Sequence, residues 1–204
     1  MKIYGDLISP FVRTTMVTAA ELGLGGKVEL IKETVTPSQA NPNLTALSPL
    51  GKVPVLETDH GHAIYDSRVI VEYLCHVAGN STLIPDDGVK RFRVLTLQAL
   101  ALGIGDAGVS YRYEINARPK GLQWESWMER QLQRIRDGID DLERNWQPVL
   151  AEVNAGSIAA AVVLAYVDYR IPDLAWRSNR PKLSAFHASF SARDSMAKTA
   201  LPMS

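Results

Sequence analysis

A serine directly followed by a proline stands near the start of the chain, at Ser9 and Pro10. Proline suits the first turn of a helix because its missing N–H needs no partner there, so we expect Ser9 to be the N-cap. The free N–H groups and the dipole of such a terminus stabilise an anion, and a thiolate is one such anion. The pair is equally typical of a helix cap with no chemical role, and both interpretations remain open at this point.

A second feature is the pair Val53-Pro54 at the start of an apolar segment. A proline in this position is a place where a cis peptide bond can occur. With a cis bond, the N–H and C=O of Val53 turn outward, and an extended peptide can pair with them as an added strand. An edge strand that tolerates proline for want of a neighbour is the alternative.

The third feature is Asp66-Ser67, which precedes an apolar stripe of helical spacing. A hydroxyl, free N–H groups and the helix dipole converge here on any incoming carboxylate, and Asp66 can accept a hydrogen bond from an ammonium group. A capping pair without a ligand is the default interpretation of such a dipeptide.

The elements that carry these features follow one another in the order β-α-β-β-β-α. Apolar periodicity, glycines and prolines predict strands at 2–5, 27–32, 53–57 and 62–65 and helices at 10–22 and 67–78, with an irregular loop of at most one helical turn at 36–50. We expect domains at 1–80 and 89–204, joined by a linker at 81–88, and the second domain to be all helical because no strand pattern follows the linker.

Two segments of the second half are distinctive. Residues 158–167 are apolar on every side and are expected to cross the middle of the helical domain, starting at Gly156-Ser157 and ending at Ile171-Pro172. A capping box from Ser157 would lack its second bond, because Ala160 stands at the third position. Glycines at 103, 105 and 108 inside another helical segment predict a kink or a close approach.

Composition limits the class of protein. Lys plus Arg and Asp plus Glu both number 22, so no excess field attracts nucleic acid or anionic lipid. The single cysteine, Cys75, excludes an internal disulfide and is expected to be a packing residue. The four histidines are scattered without metal-ligand spacing, so we expect no metal. The first six residues carry no apolar signal core, and we expect a cytoplasmic protein without a membrane partner.

The three features, in this order and followed by a helical domain, resemble the glutathione transferase family over the whole chain, in its serine-type, bacterial-like cytosolic branch. The resemblance implies a thioredoxin-like α/β N-terminal domain followed by an all-α domain. It also implies a glutathione site, with the hydroxyl of Ser9 donating to the glutathione thiolate. The residues implied in glutathione binding are Ser9, Phe11, Lys52, Val53, Pro54, Asp66 and Ser67.

Within that site the resemblance implies that Val53 contacts the cysteinyl backbone, Asp66 and Ser67 hold the γ-glutamyl end, and Lys52 reaches the glycyl carboxylate. Asp66 departs from the family pattern, in which many members have the longer Glu. The resemblance also implies that the middle of the glycine-containing helix faces the cleft between the domains, so the candidates for the second-substrate pocket are Asp106, Tyr111 and Tyr113. Plain helix packing is an equal alternative for these three.

The function implied is that of a dimeric glutathione S-transferase of the detoxification type, with glutathione as co-substrate. Its thiolate would be transferred to an electrophilic or peroxidic small molecule. A non-catalytic glutathione-binding or protein-interaction module of the same fold is the alternative. A glutathione-dependent disulfide reductase would need a thiolate where Ser9 stands, and is discounted.

Overall fold

The structure is a computed structural model and describes residues 1–79, 82–86 and 88–202. Its N-terminal part contains β1 (Lys2–Gly5), α1 (Pro10–Glu21), β2 (Glu29–Lys32), α2 (Pro42–Leu47), β3 (Val55–Glu57), β4 (Ala63–Ile64) and α3 (Ser67–Ala78). Its C-terminal part contains α4 (Gly88–Asn116), α5 (Glu125–Asn145), α6 (Gln147–Leu150), α7 (Ala155–Arg170), α8 (Pro181–Ser191) and α9 (Asp194–Ala197).

The four strands form one mixed sheet in the order β2-β1-β3-β4. The strand β1 pairs with β2 in parallel and with β3 antiparallel, and β3 pairs antiparallel with β4. The fully buried Ile3 and Leu56 lie opposite each other in the middle of the sheet, and α1 and α3 cover them with Val12, Ile70 and Leu74. This confirms the expected fold class of an α/β domain followed by helices.

The second domain is built around α7, which packs along α4, and α5 also packs against α4. Residues 158–164, 166 and 167 are buried, as expected for a helix that is apolar on every side. The helix ends at Arg170, one residue before the predicted end at Ile171-Pro172. All described elements beyond residue 88 are helical, which confirms the all-α prediction.

The start of α7 differs from the prediction. Its N-cap is Asn154 rather than Gly156 or Ser157, and a complete capping box is present. The Asn154 side chain accepts from the Ser157 N–H at 2.9 Å, and the Ser157 hydroxyl accepts from the Asn154 N–H at 2.9 Å. Ser157 therefore occupies the third helical position, and the missing bond to Ala160 was a wrong prediction.

The other differences concern short elements. The segment predicted as a loop contains the six-residue α2, which Asn41 caps through a 3.0 Å bond from the Asn43 N–H. Strand β3 starts only at Val55, after Pro54, which has no N–H to donate, and β4 comprises only two residues. The predicted domain boundary at 80/81 and residue 87 of the linker lie outside the described residues, and the boundaries remain predictions.

By length and mean hydropathy α4 could cross a membrane, with a mean hydropathy of 1.3 over eighteen residues. Half of that stretch is buried inside the structure, against α5 and α7. A buried core helix of a soluble protein has the same properties, so α4 is only weak evidence for a membrane span.

Two glycines let the start of α1 approach both domains closely. A Cβ atom at Gly5 would lie 2.4 Å from Val12 Cγ2 and 3.2 Å from Val53 Cβ, and φ of Gly5 is +151°. A Cβ atom at Gly105 of α4 would lie 3.6 Å from Pro10 Cγ and 3.3 Å from Val163 Cγ2. The close approach predicted from the α4 glycines is therefore present at Gly105, and at Gly108 next to Tyr166.

We predict that Gly5→Ala lowers the free energy of unfolding by about 3 kcal/mol, because a Cβ there overlaps Val12 and the backbone angle disfavours a side chain. Urea denaturation measures the effect. The control is Gly26→Ala, where a Cβ meets nothing within 4 Å, and its stability should equal or slightly exceed that of the wild type. Equal midpoints for the two variants would contradict the close approach at Gly5.

Candidate functional site

The sheet register brings the three sequence features to one edge. Tyr4 near the end of β1 lies opposite Val55 at the start of β3, and Leu56 lies opposite Ile64 at the end of β4. Ser9 follows β1, Val53 precedes β3 and Ser67 follows β4. Because β3 runs antiparallel to both neighbours, all three residues lie at the same end of the sheet.

Ser9 is the N-cap of α1, as predicted, and is half-buried. Its Oγ accepts from the Val12 N–H at 3.4 Å, which is a long bond, and its own O–H has no acceptor among the described residues. The turn before it is well held: the Ser9 N–H donates to the Asp6 carbonyl and the Ile8 N–H to Asp6 Oδ1, both at 2.9 Å. The hydroxyl is therefore fixed in place but still has a proton to donate.

The peptide bond between Val53 and Pro54 is cis. Within residues 1–79, 82–86 and 88–202 neither the N–H nor the C=O of Val53 has a hydrogen-bond partner. Val53 is half-buried beside Gly5, while Pro54 is buried and Lys52 is exposed. An unpaired donor and acceptor on one residue can take an extended peptide as an additional strand.

Asp66 is the N-cap of α3, and its Oδ1 accepts from the Arg68 N–H at 3.0 Å. Ser67 is only 3 % exposed, and its hydroxyl has no partner in the described part of the chain. The hydroxyl oxygen is not among the fully buried unpartnered atoms, so it remains accessible at the helix N-terminus, where it is suited to a carboxylate ligand. The Tyr65–Asp66 peptide bond is also cis, and no proline in the sequence signals it.

Asp106 of α4 connects this edge to the helical domain. Partial burial raises the pKa of the Asp106 carboxyl, the charges of Arg68 and Lys52 lower it, and that of Asp66 raises it. Asp106 is thus close enough to feel the charges of Asp66 and Arg68 at the start of α3 and of Lys52 before β3. Of the other two pocket candidates, Tyr113 is half-buried, with its pKa raised by burial, and Tyr111 packs against the helical core.

Phe11 lies where the two domains meet. Its ring is half-buried, with Cε1 3.7 Å from the position of a Cβ on Gly105, and it packs against the helical core. Cys75 is buried, and burial raises the pKa of its thiol to about 11, which keeps it protonated and agrees with a packing role.

Sequence reasoning missed several residues near the cleft. Arg13 of α1 is 4 % exposed and joins the domains by donating to the Met196 carbonyl at 3.3 Å and to Thr199 Oγ1 at 3.4 Å. Tyr166 of α7 contacts Gly108 of α4, Arg170 follows it by one turn of α7, and only the pairing of the two helices brings Tyr166 to α4. No group of three His, Cys, Asp or Glu able to hold a metal occurs in the described ranges.

Comparison with known proteins agrees with this architecture. The chain matches the family model described as "Glutathione S-transferase, N-terminal domain" over residues 8–77 and that of the C-terminal domain over residues 125–189. The chain belongs to the glutathione transferase family. The resemblance inferred from Ser9, Val53-Pro54 and Asp66-Ser67 is thereby confirmed.

Relatives of this transferase-family chain match it along its whole length. The "Uncharacterized GST-like protein YibF" of Escherichia coli K12 is 35 % identical, over 99 % of each chain. A glutathione transferase family member from Pseudomonas fluorescens Pf-5, solved with bound glutathione, has a TM-score of 0.96 at 39 % identity over 99 % of each chain. A glutathione S-transferase from Methylobacillus flagellatus, also solved with glutathione, has a TM-score of 0.85 at 32 % identity over 98 % of each chain.

The long bond at Ser9 yields a prediction that separates its two interpretations in this transferase-family protein. Ser9→Ala should lower the free energy of unfolding by less than about 1 kcal/mol, because the capping bond is 3.4 Å long. Asn154→Ala removes a buried cap whose Oδ1 accepts from the Ser157 N–H at 2.9 Å, and it should lower the free energy of unfolding by about 2 kcal/mol. Urea denaturation measures the free energy of unfolding of both variants. If Ser9→Ala loses as much stability as Asn154→Ala, the role of Ser9 is structural.

Proposed function

We propose that this protein is a glutathione transferase whose site binds glutathione along the end of the sheet and presents its thiolate to an electrophilic or peroxidic molecule. The observation that carries the proposal is the set of unpaired polar groups at one edge: the Ser9 O–H, the Val53 N–H and C=O, and the Ser67 hydroxyl. Each matches one part of an extended tripeptide with a carboxylate at one end and a thiol in its middle.

The backbone of Val53 pairs with the cysteinyl residue of glutathione in the manner of an added strand. Ser67 and the N–H groups at the start of α3 take the γ-glutamyl carboxylate, and Asp66 accepts from the γ-glutamyl ammonium. Lys52, which is exposed and forms no ion pair within the described residues, takes the glycyl carboxylate. Pro54 fixes the chain at Val53, and Phe11 holds the start of α1 against α4.

Ser9 then lies beside the sulfur. Its O–H donates to the thiolate, and the free N–H groups at the start of α1 add their dipole, so the ionised form is favoured over the thiol. A free thiol has a pKa of about 8.5, and lowering it by one or two units raises the thiolate fraction at neutral pH several-fold or more. With an aryl halide, the thiolate forms the C–S bond and the halide leaves with its electron pair.

The similar proteins support this assignment. The Pseudomonas fluorescens family member binds glutathione and, in a second structure with a TM-score of 0.91 to this chain, S-(propanoic acid)-glutathione. A site that accepts both a free thiol and a sulfur-substituted glutathione is what a transferase requires. We assign Asp106 and Tyr113 to the wall of the space in which the sulfur substituent would extend, and Tyr111, which packs on the helical core, to the support of that wall.

The transferase is proposed to act as a cytoplasmic homodimer. Val69 and Val77 on α3 and Val89 and Phe92 on α4 are exposed, and the ion pair between Glu72 and Arg91 joins the two helices that carry them. Apolar side chains in such numbers on adjoining helices favour burial against a second copy. The single buried cysteine suits a reducing compartment.

We predict that Ser9→Ala retains glutathione binding within about threefold but lowers kcat/KM for 1-chloro-2,4-dinitrobenzene by about 10- to 100-fold, because one charge-assisted hydrogen bond to the thiolate is lost. The pH at which the rate is half-maximal should rise in the variant. Ser67→Ala should instead weaken glutathione binding about tenfold. Calorimetry and steady-state kinetics measure the two effects.

The matched control is Ser126→Ala, which removes an exposed hydroxyl from the first turn of α5 and should change neither value. Failure of the wild type to bind glutathione would refute the proposal. Binding without turnover of any halide, epoxide, activated alkene or hydroperoxide would favour a non-catalytic binding module of the same fold.

A further inference from the structure

Three contacts fix how α4 and α7 lie against each other. Cβ atoms built on Gly156, Gly105 and Gly108 would lie 2.7 Å from Leu97 Cγ, 3.3 Å from Val163 Cγ2 and 3.0 Å from Tyr166 Cε1. The pairs 97/156, 105/163 and 108/166 advance along both helices in the same direction by nearly the same number of residues. The two helices are therefore parallel, in one register over about three turns.

One turn beyond the last contact, Arg112 follows Gly108 on α4 and Arg170 follows Tyr166 on α7. Both side chains are half-buried, and neither forms an ion pair in the described part of the chain. The carboxylates nearest in sequence are already engaged, Glu114 with Arg118 and Asp168 with Arg177. The Arg170 guanidinium lies 4.7 Å from the centre of the Tyr169 ring, which holds it against α7.

Tyr166 lies between these two arginines and the α4 backbone. It is only 4 % exposed, and its hydroxyl has no hydrogen-bond partner among residues 1–79, 82–86 and 88–202. Among the described residues, the fully buried side-chain atoms without a hydrogen-bond partner belong to Gln98, Trp176 and His187. The Tyr166 hydroxyl oxygen is not one of them, so it still touches a solvent-accessible space.

The charges around this hydroxyl identify its neighbours. Burial raises the pKa of Tyr166 to about 12, the charges of Arg170 and Arg112 lower it, and Tyr113 raises it. At neutral pH, Tyr166 is thus a neutral donor beside two cations. Two guanidinium groups, which can only donate, and a hydroxyl with a free proton form a set rich in donors, which is the chemistry that recognises a carboxylate.

The set lies within reach of the proposed reaction centre. Gly105 of α4 contacts Pro10 and Phe11, directly after Ser9 in the chain. Arg112 follows Gly105 by seven residues, which is roughly 10 Å along the helix axis. A substituent on a sulfur at Ser9 that extends along α4 therefore leads towards Arg112, Tyr166 and Arg170.

We propose that Arg112, Arg170 and Tyr166 bind a carboxylate of the second substrate, so that this protein prefers electrophiles that are themselves carboxylic acids. The inference rests on the proposed transferase function and adds the substrate class. An uncharged acceptor of the same shape would leave two partly desolvated cations and a buried hydroxyl without partners, so it is disfavoured. In the reaction the glutathione thiolate bonds to the electrophilic carbon, chloride leaves with its electron pair, and the substrate carboxylate remains unchanged.

The test compares two acceptors that differ in charge, 4-chloro-3,5-dinitrobenzoate and 4-chloro-3,5-dinitrobenzamide. After division by the uncatalysed rates, the wild type should favour the benzoate by about tenfold in kcat/KM, the value of one charge-assisted bond. Arg112→Gln and Arg170→Gln should each raise KM for the benzoate about tenfold and change that for the benzamide less than twofold. Arg130→Gln, at an exposed arginine of α5, is the matched control and should change neither.

A binding measurement keeps the inference separate from catalysis. By calorimetry, the wild type should bind S-(2-carboxyethyl)glutathione about tenfold more tightly than S-propylglutathione. Both arginine variants should lose this preference. Their circular dichroism spectra should match that of the wild type, which shows that they are folded. Equal binding of the two conjugates by the wild type, or a preference that survives in both variants, would overturn the inference and leave the proposed function intact. Failure of both conjugates to bind would overturn the proposed function and the inference with it.

Discussion

The start of α1 lies between two glycines that have no side chain to keep their neighbours away. Gly5 lets Val12 and Val53 approach the end of β1, and Gly105 lets Pro10 and Phe11 approach α4. Ser9 is held at this junction by the turn that Asp6 closes. The position of its hydroxyl relative to Val53 and to the helical domain therefore depends on two close contacts between backbone and side chains. A side chain at Gly5 would overlap Val12 and so displace α1, the helix that begins at Ser9, whereas at Gly105 the tight neighbour would be Val163 of α7.

Arg13 adds a second connection between the same parts. Its guanidinium is buried and donates to the end of the chain around α9, while burial lowers its pKa to about 10, which leaves it charged at neutral pH. A buried charge without a carboxylate is tolerated only where carbonyl and hydroxyl oxygens replace water. The residue thus links the helix that begins at Ser9 to the segment around the last described helix.

The cleft is basic although the protein is neutral overall. Lys52, Arg68, Arg112 and Arg170 form no ion pair within the described ranges. Lys52 precedes β3, Arg68 lies in the first turn of α3, and Arg112 and Arg170 lie near the ends of α4 and α7. The charges of the first two act on Asp106 and those of the last two on Tyr166. Glutathione brings two carboxylates and a thiolate, and a carboxylic acid acceptor brings one more. The cations that are unpaired within the protein are thus matched by the negative charges of the proposed ligands. The net charge of the whole chain, which is zero, does not show this local excess.

Local patterns predicted most of the fold, because apolar periodicity and proline positions report directly on strands and helices. They identified Ser9 as a cap and Val53-Pro54 as a place for a cis bond, since proline permits both. The capping box at Asn154 was missed because Ser157, the third helical residue, was taken for the N-cap. The cis bond at Tyr65–Asp66 has no signal in residue type.

The set of Arg112, Tyr166 and Arg170 was beyond sequence reasoning for a different reason. It depends on the parallel register of two helices about sixty residues apart, and that register is decided by glycine contacts in three dimensions. The roles of the residues at the sheet edge depend on the ligand that binds there, and residue types alone do not specify that ligand.

A crystal structure of this protein with glutathione is the most direct measurement of the central claim. The account predicts the sulfur within hydrogen-bond distance of Ser9 Oγ, the cysteinyl N–H and C=O paired with Val53, and the γ-glutamyl carboxylate on Ser67. A sulfur bound away from Ser9, or a glutathione that leaves Val53 unpaired, would contradict it.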